Sequence, residues 1–213
     1  MVATGSLEHA MTEHYFSEQP GTPAVYRQVS FRAYGRSYTM TSASGVFAGD
    51  RLDLGTAVLL REVPLPSEPG TFLDLGCGYG PIACVLAREV PEATVWAVDV
   101  NTRALELTRQ NAESLGVAER VRVATPDEVP AEVTFQQIWS NPPVRIGKAA
   151  LHELLERWLA RLDPHGVAWL VVAKNLGADS LQRWLVGAGF PTERQASAKG
   201  YRVLAVRPRS AQP

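Results

Sequence analysis

The sequence predicts an α/β domain with a mainly parallel sheet and helices on both faces. Three observations carry that expectation. From Thr71 onward, strand-like and helix-like segments alternate, as repeated βαβ units require. "GVAWLVVA" (166–173) is a near-continuous apolar run of the kind a parallel sheet buries on both faces. In "FLDLGCGYGP" (72–81) an apolar strand runs into Gly76, Gly78 and Gly80 on the threshold of a helix. Glycine costs conformational entropy, so such a cluster marks an unusual backbone path or a ligand pressed against the main chain.

The elements follow in order. Met1 to about Pro23 is polar and aperiodic and reads as a loose lead-in. "YRQVSFRAY" and "RSYTMTS" flank Gly35 as a hairpin. "LGTAVLLREV" is a short helix, ended by the proline-rich "PLPSEPG". "TFLDL" is a buried strand, "GPIACVLAREV" a helix, "ATVWAVDV" the next strand, and "TRALELTRQNAESLG" a helix closed by Gly116. "RVRVA" and "TFQQIWS" are strand candidates. Leu151, Leu154, Leu155, Trp158, Leu159 and Leu162 recur at helical spacing. After the strand "GVAWLVVA" come the helix "DSLQRWLVGAG" and a terminal hairpin about Lys199 and Gly200.

Composition narrows the function classes. Hydrophobic residues make up 46% and charged residues 20%, the balance of a soluble globular domain. A net charge of -1 gives no global attraction to polyanions or membranes. Basic residues do concentrate locally: Arg27, Arg32 and Arg36 stand among no acids between Ala24 and Gly49. Arg194, Lys199, Arg202, Arg207 and Arg209 face only Glu193 near the C-terminus. Such patches are solvated faces or nucleic-acid contacts. Neither the two cysteines, Cys77 and Cys84, nor the four scattered histidines have metal-ligand spacing, so no metal site is expected. No run reaches a membrane span and no signal-peptide core opens the chain, which reads as cytoplasmic.

In this fold class the loop after the first parallel strand lies at the carboxyl edge, where ligands bind. Asp99, nineteen residues beyond Gly80, ends the second such strand, where a carboxylate can accept hydrogen bonds from ribose hydroxyls. The loop Gly-Cys-Gly-Tyr-Gly is not the G-x-G-x-x-G that cradles a pyrophosphate. Asp74, two residues before Gly76, would repel a pyrophosphate and attract an α-amino group. A nucleoside with an amino-acid tail fits, which points to S-adenosyl-L-methionine. "LDLGCGYG" and "VDVN" (98–101) resemble the first two motifs of the class I S-adenosylmethionine-dependent methyltransferases. That resemblance implies a Rossmann-like fold with a seven-stranded sheet. It further implies that Asp74, Gly76, Gly78 and Gly80 line the methionine and ribose end, that Asp99 takes the ribose hydroxyls, and that Asn101 lies near adenine. Asp127, in "ATPDEV", is a looser match to an adenine-amino contact. Cys77 and Tyr79 fall at variable motif positions and are expected to pack.

"IWSNPP" brings Asn141 to the same edge. Asn-Pro-Pro can be a plain turn. It also suits a definite chemistry. Methylating a conjugated NH₂ needs its nitrogen lone pair held toward the methyl, and a side-chain amide oxygen plus a main-chain carbonyl can accept both N–H bonds. Asn141 supplies the first acceptor and the Pro142 carbonyl the second, because Pro143 has no N–H to compete. The stretch resembles the N-P-P-[FYW] signature of amino methyltransferases acting on adenine, guanine N2 and glutamine amides. Val144 stands where that signature places an aromatic, and base stacking there is worth about 1–3 kcal/mol. Pro143 and Val144 are expected at the target, while Arg145 and Lys148 contact target or phosphate or begin a helix exposed.

"GVFAGDRLDLGTAVLL" (45–60) resembles the segment that precedes the catalytic core in small-subunit rRNA guanine-N2 methyltransferases and folds over the cofactor there. Phe47, Asp53, Gly55 and Thr56 become site candidates, Thr56 toward the cofactor; a plain helix entry at Asp53 is the alternative. The resemblance implies a lead-in and hairpin over 1–44, a methyltransferase domain over 45–213, and rRNA or a ribosomal subunit as partner, without a membrane. The expected reaction is methyl transfer from S-adenosyl-L-methionine to an exocyclic amine, foremost guanine N2 of rRNA. A protein amide, a small metabolite or a non-catalytic binding module are the alternatives.

Overall fold

The computed structural model describes residues 23–47 and 51–209; the lead-in expected over residues 1–22 lies outside them. Chain order is β1 (Tyr26–Ala33), β2 (Arg36–Ala43), α1 (Leu54–Glu62), β3 (Thr71–Leu75), α2 (Pro81–Glu89), β4 (Thr94–Val98) and α3 (Thr102–Ser114). There follow β5 (Val121–Ala124), β6 (Phe135–Ser140), α4 (Lys148–Leu159), β7 (Leu162–Ala173), α5 (Ala178–Gly187), β8 (Thr192–Ala198) and β9 (Tyr201–Val206).

The seven-stranded sheet runs β5-β4-β3-β6-β7-β9-β8. Its first five strands are parallel, and β9 and β8 close it antiparallel. Winding proceeds outward from β3 through β4 to β5, then reverses to β6 on the other side of β3. That reversal is the switch point where the carboxyl-end loops of an open α/β sheet diverge and leave a crevice.

Strand alternation divides the core. In β3 Phe72 packs on one face and Leu73 and Leu75 on the other. In β7 Val167, Trp169 and Val171 share the first face, and Ala168, Leu170 and Val172 the second. Helices α1, α2 and α3 cover the first face, and α4 and α5 the second. This is the Rossmann-like methyltransferase architecture expected above.

The β1–β2 hairpin is a separate two-stranded sheet whose inward Val29, Tyr38 and Met40 join the first-face core. Polar contacts fix it there. The Tyr38 hydroxyl donates to Glu89 on α2. Asn111 on α3 accepts from the Thr41 N–H at 2.8 Å and donates to the carbonyls of Thr41 at 2.8 Å and Tyr79 at 2.9 Å. One side chain thereby joins the hairpin, α3 and the glycine loop.

One element differs from expectation. Leu162 continues the apolar spacing of α4, yet α4 ends at Leu159 and Leu162 opens β7, paired with Phe135. The register then shifts before Gln137 meets Val167. Pro164 and Gly166 make that irregular passage workable: a side chain at Gly166 would lie 3.0 Å from the backbone oxygens of Asp163 and Gln136.

Candidate active site

Strand register assembles the site. Leu75 pairs with Val98 on one side and with Ser140 on the other. The next residues on those three adjacent strands are Gly76, Asp99 and Asn141, which therefore emerge together at the carboxyl edge. Ser140 Oγ locks the alignment by donating to the Leu75 carbonyl at 2.7 Å.

The three glycines do different work. Gly76, Gly78 and Gly80 have φ of 75°, 57° and 85°, a region that disfavours any residue with a Cβ. At Gly76 and Gly78 a side chain would meet no atom of the described residues within 4 Å, which leaves open space above them among those residues. At Gly80 it would strike Thr108 Cγ2 at 2.8 Å; this glycine seats α2 against α3. Cys77 and Tyr79 alternate with the glycines and are buried, as expected for packing positions. Burial pushes the thiols of Cys77 and Cys84 up, so both stay protonated and unreactive at neutral pH.

Two carboxylates flank the loop. Asp99 Oδ2 accepts from Gly78 N–H at 2.9 Å, and Oδ1 accepts from Asn101 N–H at 3.0 Å. Burial raises its pKa against the lowering effect of those bonds. Asp74 is completely buried; its Oδ2 accepts from Ala83 N–H at 2.9 Å in the first turn of α2, and Oδ1 has no hydrogen-bond partner among the described residues. Burial, with Asp99 as a like charge nearby, pushes Asp74 up to about 8.

Asn141 lies in a cleft with Phe47, Asp53, Thr56, Gly76 and Gly78. Its Nδ2 donates to Asp53 Oδ1 at 2.5 Å and to Thr56 Oγ1 at 3.2 Å. Asp53 is also the N-cap of α1, its Oδ1 accepting from Thr56 N–H at 3.0 Å. The helix entry expected at Asp53 is present, and the same carboxylate oxygen meets Asn141 in the cleft. Thr56, expected toward the cofactor, uses its hydroxyl to receive Asn141.

The Pro142 carbonyl is less free than its neighbour suggested. Pro143 has φ -75° and ψ 72°, an inverse γ-turn, which brings Val144 N–H onto the Pro142 oxygen at 2.8 Å. One lone pair is taken and one remains. Val144 packs against the second-face core, while Arg145 and Lys148 are exposed.

The other two residues expected at the cofactor, Asn101 and Asp127, make contacts within the protein. The Asn101 side chain caps α3, accepting from Arg103 and Ala104 N–H groups, and donates to the Gly45 carbonyl at 2.9 Å. It is buried and anchors the hairpin exit beside the cleft. Asp127 is on the surface, with its carboxylate 2.9 Å from Arg157 of α4. Sequence reasoning missed Tyr201. The antiparallel β9 pairs Tyr201 with Ala173, the last residue of β7, and so delivers the ring to the carboxyl edge. A Cβ on Gly55 would lie 2.9 Å from Tyr201 Cε1 and 3.1 Å from Asn141 Nδ2. Only the crossover of the final hairpin reveals that proximity.

A wider cavity opens at the amino edge of the sheet, lined by Leu159, His165, Phe190 and Arg207 among others. Its polar side chains are His165, Arg207 and Arg209, with no carboxylate among its described lining residues. Among the described residues no cluster of His, Cys, Asp or Glu could hold a metal, and no helix is long and apolar enough to cross a membrane.

Comparisons with known proteins agree with this geometry. Residues 37–205 match the family model of the methyltransferase small domain. The chain is 39% identical over 173 residues to YbxB, an uncharacterized Bacillus subtilis protein, covering 80% of this chain and 86% of that one. It is 36% identical over 129 residues to the ribosomal RNA small subunit methyltransferase C of Aeromonas hydrophila, covering 60% of this chain and 36% of that protein. A T. Thermophilus 16S rRNA guanine-N2 methyltransferase, solved with AdoMet and guanosine, superposes with a TM-score of 0.74 at 26% identity, covering 89% of this chain and 52% of that one. The chain thus spans about half or less of these two rRNA methyltransferases.

Proposed function

The chain belongs to the methyltransferase small domain family, and we propose that it transfers a methyl group from S-adenosyl-L-methionine to an exocyclic amine, guanine N2 of rRNA, in the cytoplasm. The observation that carries this reading is the meeting of Gly76, Asp99 and Asn141 at one sheet edge, with Asn141 turned by its bonds to Asp53 and Thr56. The rRNA methyltransferases among its relatives support the choice of acceptor. Residues 45–213 form the catalytic unit in this reading, and the hairpin before them an extension.

The residues fit the cofactor on two counts. The open space over Gly76 and Gly78 lets a ligand approach the backbone, and Asp74 Oδ1 is a buried oxygen without a partner among the described residues. Asp99 would hold the ribose hydroxyls, and the Asp74 carboxylate would face the amino-acid end. When bound, the cofactor supplies an electrophilic methyl group on sulfonium. The chain supplies orientation. Asn141 Oδ1 and the remaining lone pair of the Pro142 carbonyl accept the two N–H bonds of the target, directing its nitrogen lone pair at the methyl. No strong base is required, because the amine loses its proton only as it becomes cationic. Tyr201, and Phe47 in the cleft, are our candidates for the flat apolar wall that Val144 does not provide. Arg145 and Lys148 are exposed where a phosphate backbone would pass.

Incubation with labelled S-adenosyl-L-methionine and, side by side, unmodified ribosomal subunits, naked rRNA, total protein and a metabolite extract tests the reading. Label in rRNA is expected. Label confined to protein or metabolites would overturn the acceptor while keeping the enzyme.

A further inference from the structure

We propose that Asp53 is a positioning residue: with Thr56 it holds the Asn141 amide in one orientation, so that Oδ1 and not the NH₂ faces the target amine. The inference rests on the amino-transfer reading above. A primary amide carries two donor hydrogens at one end and an acceptor at the other. Its terminal torsion is broad and nearly two-fold, so an untethered Asn141 would present either end. Presented nitrogen-first to an amine, it would oppose donor to donor.

The structure removes that freedom. Both Nδ2 hydrogens are spent, one on Asp53 Oδ1 at 2.5 Å and one on Thr56 Oγ1 at 3.2 Å. A carboxylate only accepts, so the flipped amide would set Oδ1 against Asp53 Oδ1, exchanging a charge-assisted bond for a repulsion. Chemistry therefore fixes the assignment of the two ends. The tether is itself held firmly. Asp53 caps α1 through the same Oδ1, which accepts Thr56 N–H at 3.0 Å. Gly55 allows the close approach, since a side chain there would stand 3.0 Å from Asp53 Oδ1 and 3.1 Å from Asn141 Nδ2. Its need for glycine comes from this crowding. The D-x-G-T run, 88 residues before Asn141 as counted from Asp53, works as one device: cap, gap and pair of acceptors.

The test compares Asp53→Ser, Asp53→Asn and Thr56→Val in the full chain. Serine retains helix capping but is too short to keep the Asn141 bond; asparagine retains both a cap oxygen and an acceptor. We expect Asp53→Ser to lower kcat about tenfold or more, the scale of one charge-assisted bond, with cofactor Kd within about threefold. Asp53→Asn is expected to restore most of that loss, and Thr56→Val to cost less than Asp53→Ser. A second readout needs no acceptor. The Asn141 side-chain NH₂ signal in ¹H–¹⁵N NMR, identified by its absence in Asn141→Asp, should exchange slowly in the parent and quickly in Asp53→Ser. Unchanged kcat in Asp53→Ser, equal losses in the serine and asparagine variants, or an unaltered Asn141 signal would each overturn the proposal. Should the parent methylate no RNA, the amino-transfer reading fails by itself, and the NMR signal still decides the tether.

Discussion

The backbone N–H of Gly78 donates to Asp99 Oδ2 at 2.9 Å, so the carboxylate at the end of one strand ties down the glycine loop at the end of the next. Its other oxygen takes the Asn101 N–H, which begins the cap of α3. Asp99 thus organises the pocket before any nucleoside arrives. A hydrogen bond to a charged group contributes about 1.5–3 kcal/mol. Asp99→Ala should therefore weaken S-adenosyl-L-methionine binding about tenfold to a hundredfold in calorimetry, and Asp99→Asn by less. Unchanged affinity in Asp99→Ala would remove its ribose role.

The loop glycines separate ligand space from packing. Gly76→Ala and Gly80→Ala share the backbone penalty of a left-handed conformation, about 1–2 kcal/mol. Gly80→Ala adds the collision with Thr108, so it should lower the melting temperature more than Gly76→Ala. Gly76→Ala should instead lose cofactor affinity out of proportion to stability, because its methyl enters the open space. Thermal melts with and without cofactor check both; equal responses would contradict this division.

Asp74 predicts a pH dependence. Its pKa rises from 3.8 in the unfolded chain to about 8 in the fold, chiefly through burial. The folded state then binds the extra proton, so this group's stabilisation is whole below pH 4, declines as pH rises and is gone above about pH 8. Asp74→Asn should flatten the fall of stability between pH 4 and 8 in denaturant titrations. The cofactor's cationic amino-acid end favours the ionised carboxylate. Affinity should therefore rise with pH up to about 8 and level off, and Asp74→Asn should remove that slope. A parent affinity flat across this range would separate Asp74 from the cofactor.

How much of this the sequence discloses depends on how local each signal is. The glycine loop, Asp99 and Asn141 are legible because each follows an apolar strand, and parallel register brings consecutive strand ends to one edge. Leu162 misled because its spacing continues α4, while the turn that ends the helix at Leu159 depends on pairing with Phe135. The Val144 bond to Pro142 was hidden in a ψ angle: proline fixes φ, and the sequence left ψ open. The cap made by Asn101 is not singled out by its motif, because a ligand contact and an N-cap favour the same short polar side chain. Tyr201 was beyond reach, because only the antiparallel return of β9 sets it beside Asn141.

The most direct test of the central claim is nucleoside mass spectrometry of rRNA incubated with S-adenosyl-L-methionine and either the parent protein or Asn141→Ala, alongside cofactor binding by calorimetry. The account predicts N2-methylguanosine with the parent and at least a hundredfold less with the variant, about 2.7 kcal/mol of lost orientation, at cofactor affinities within about twofold of each other. Methylation by Asn141→Ala at the parent rate, or an equal loss of binding and transfer, would contradict it.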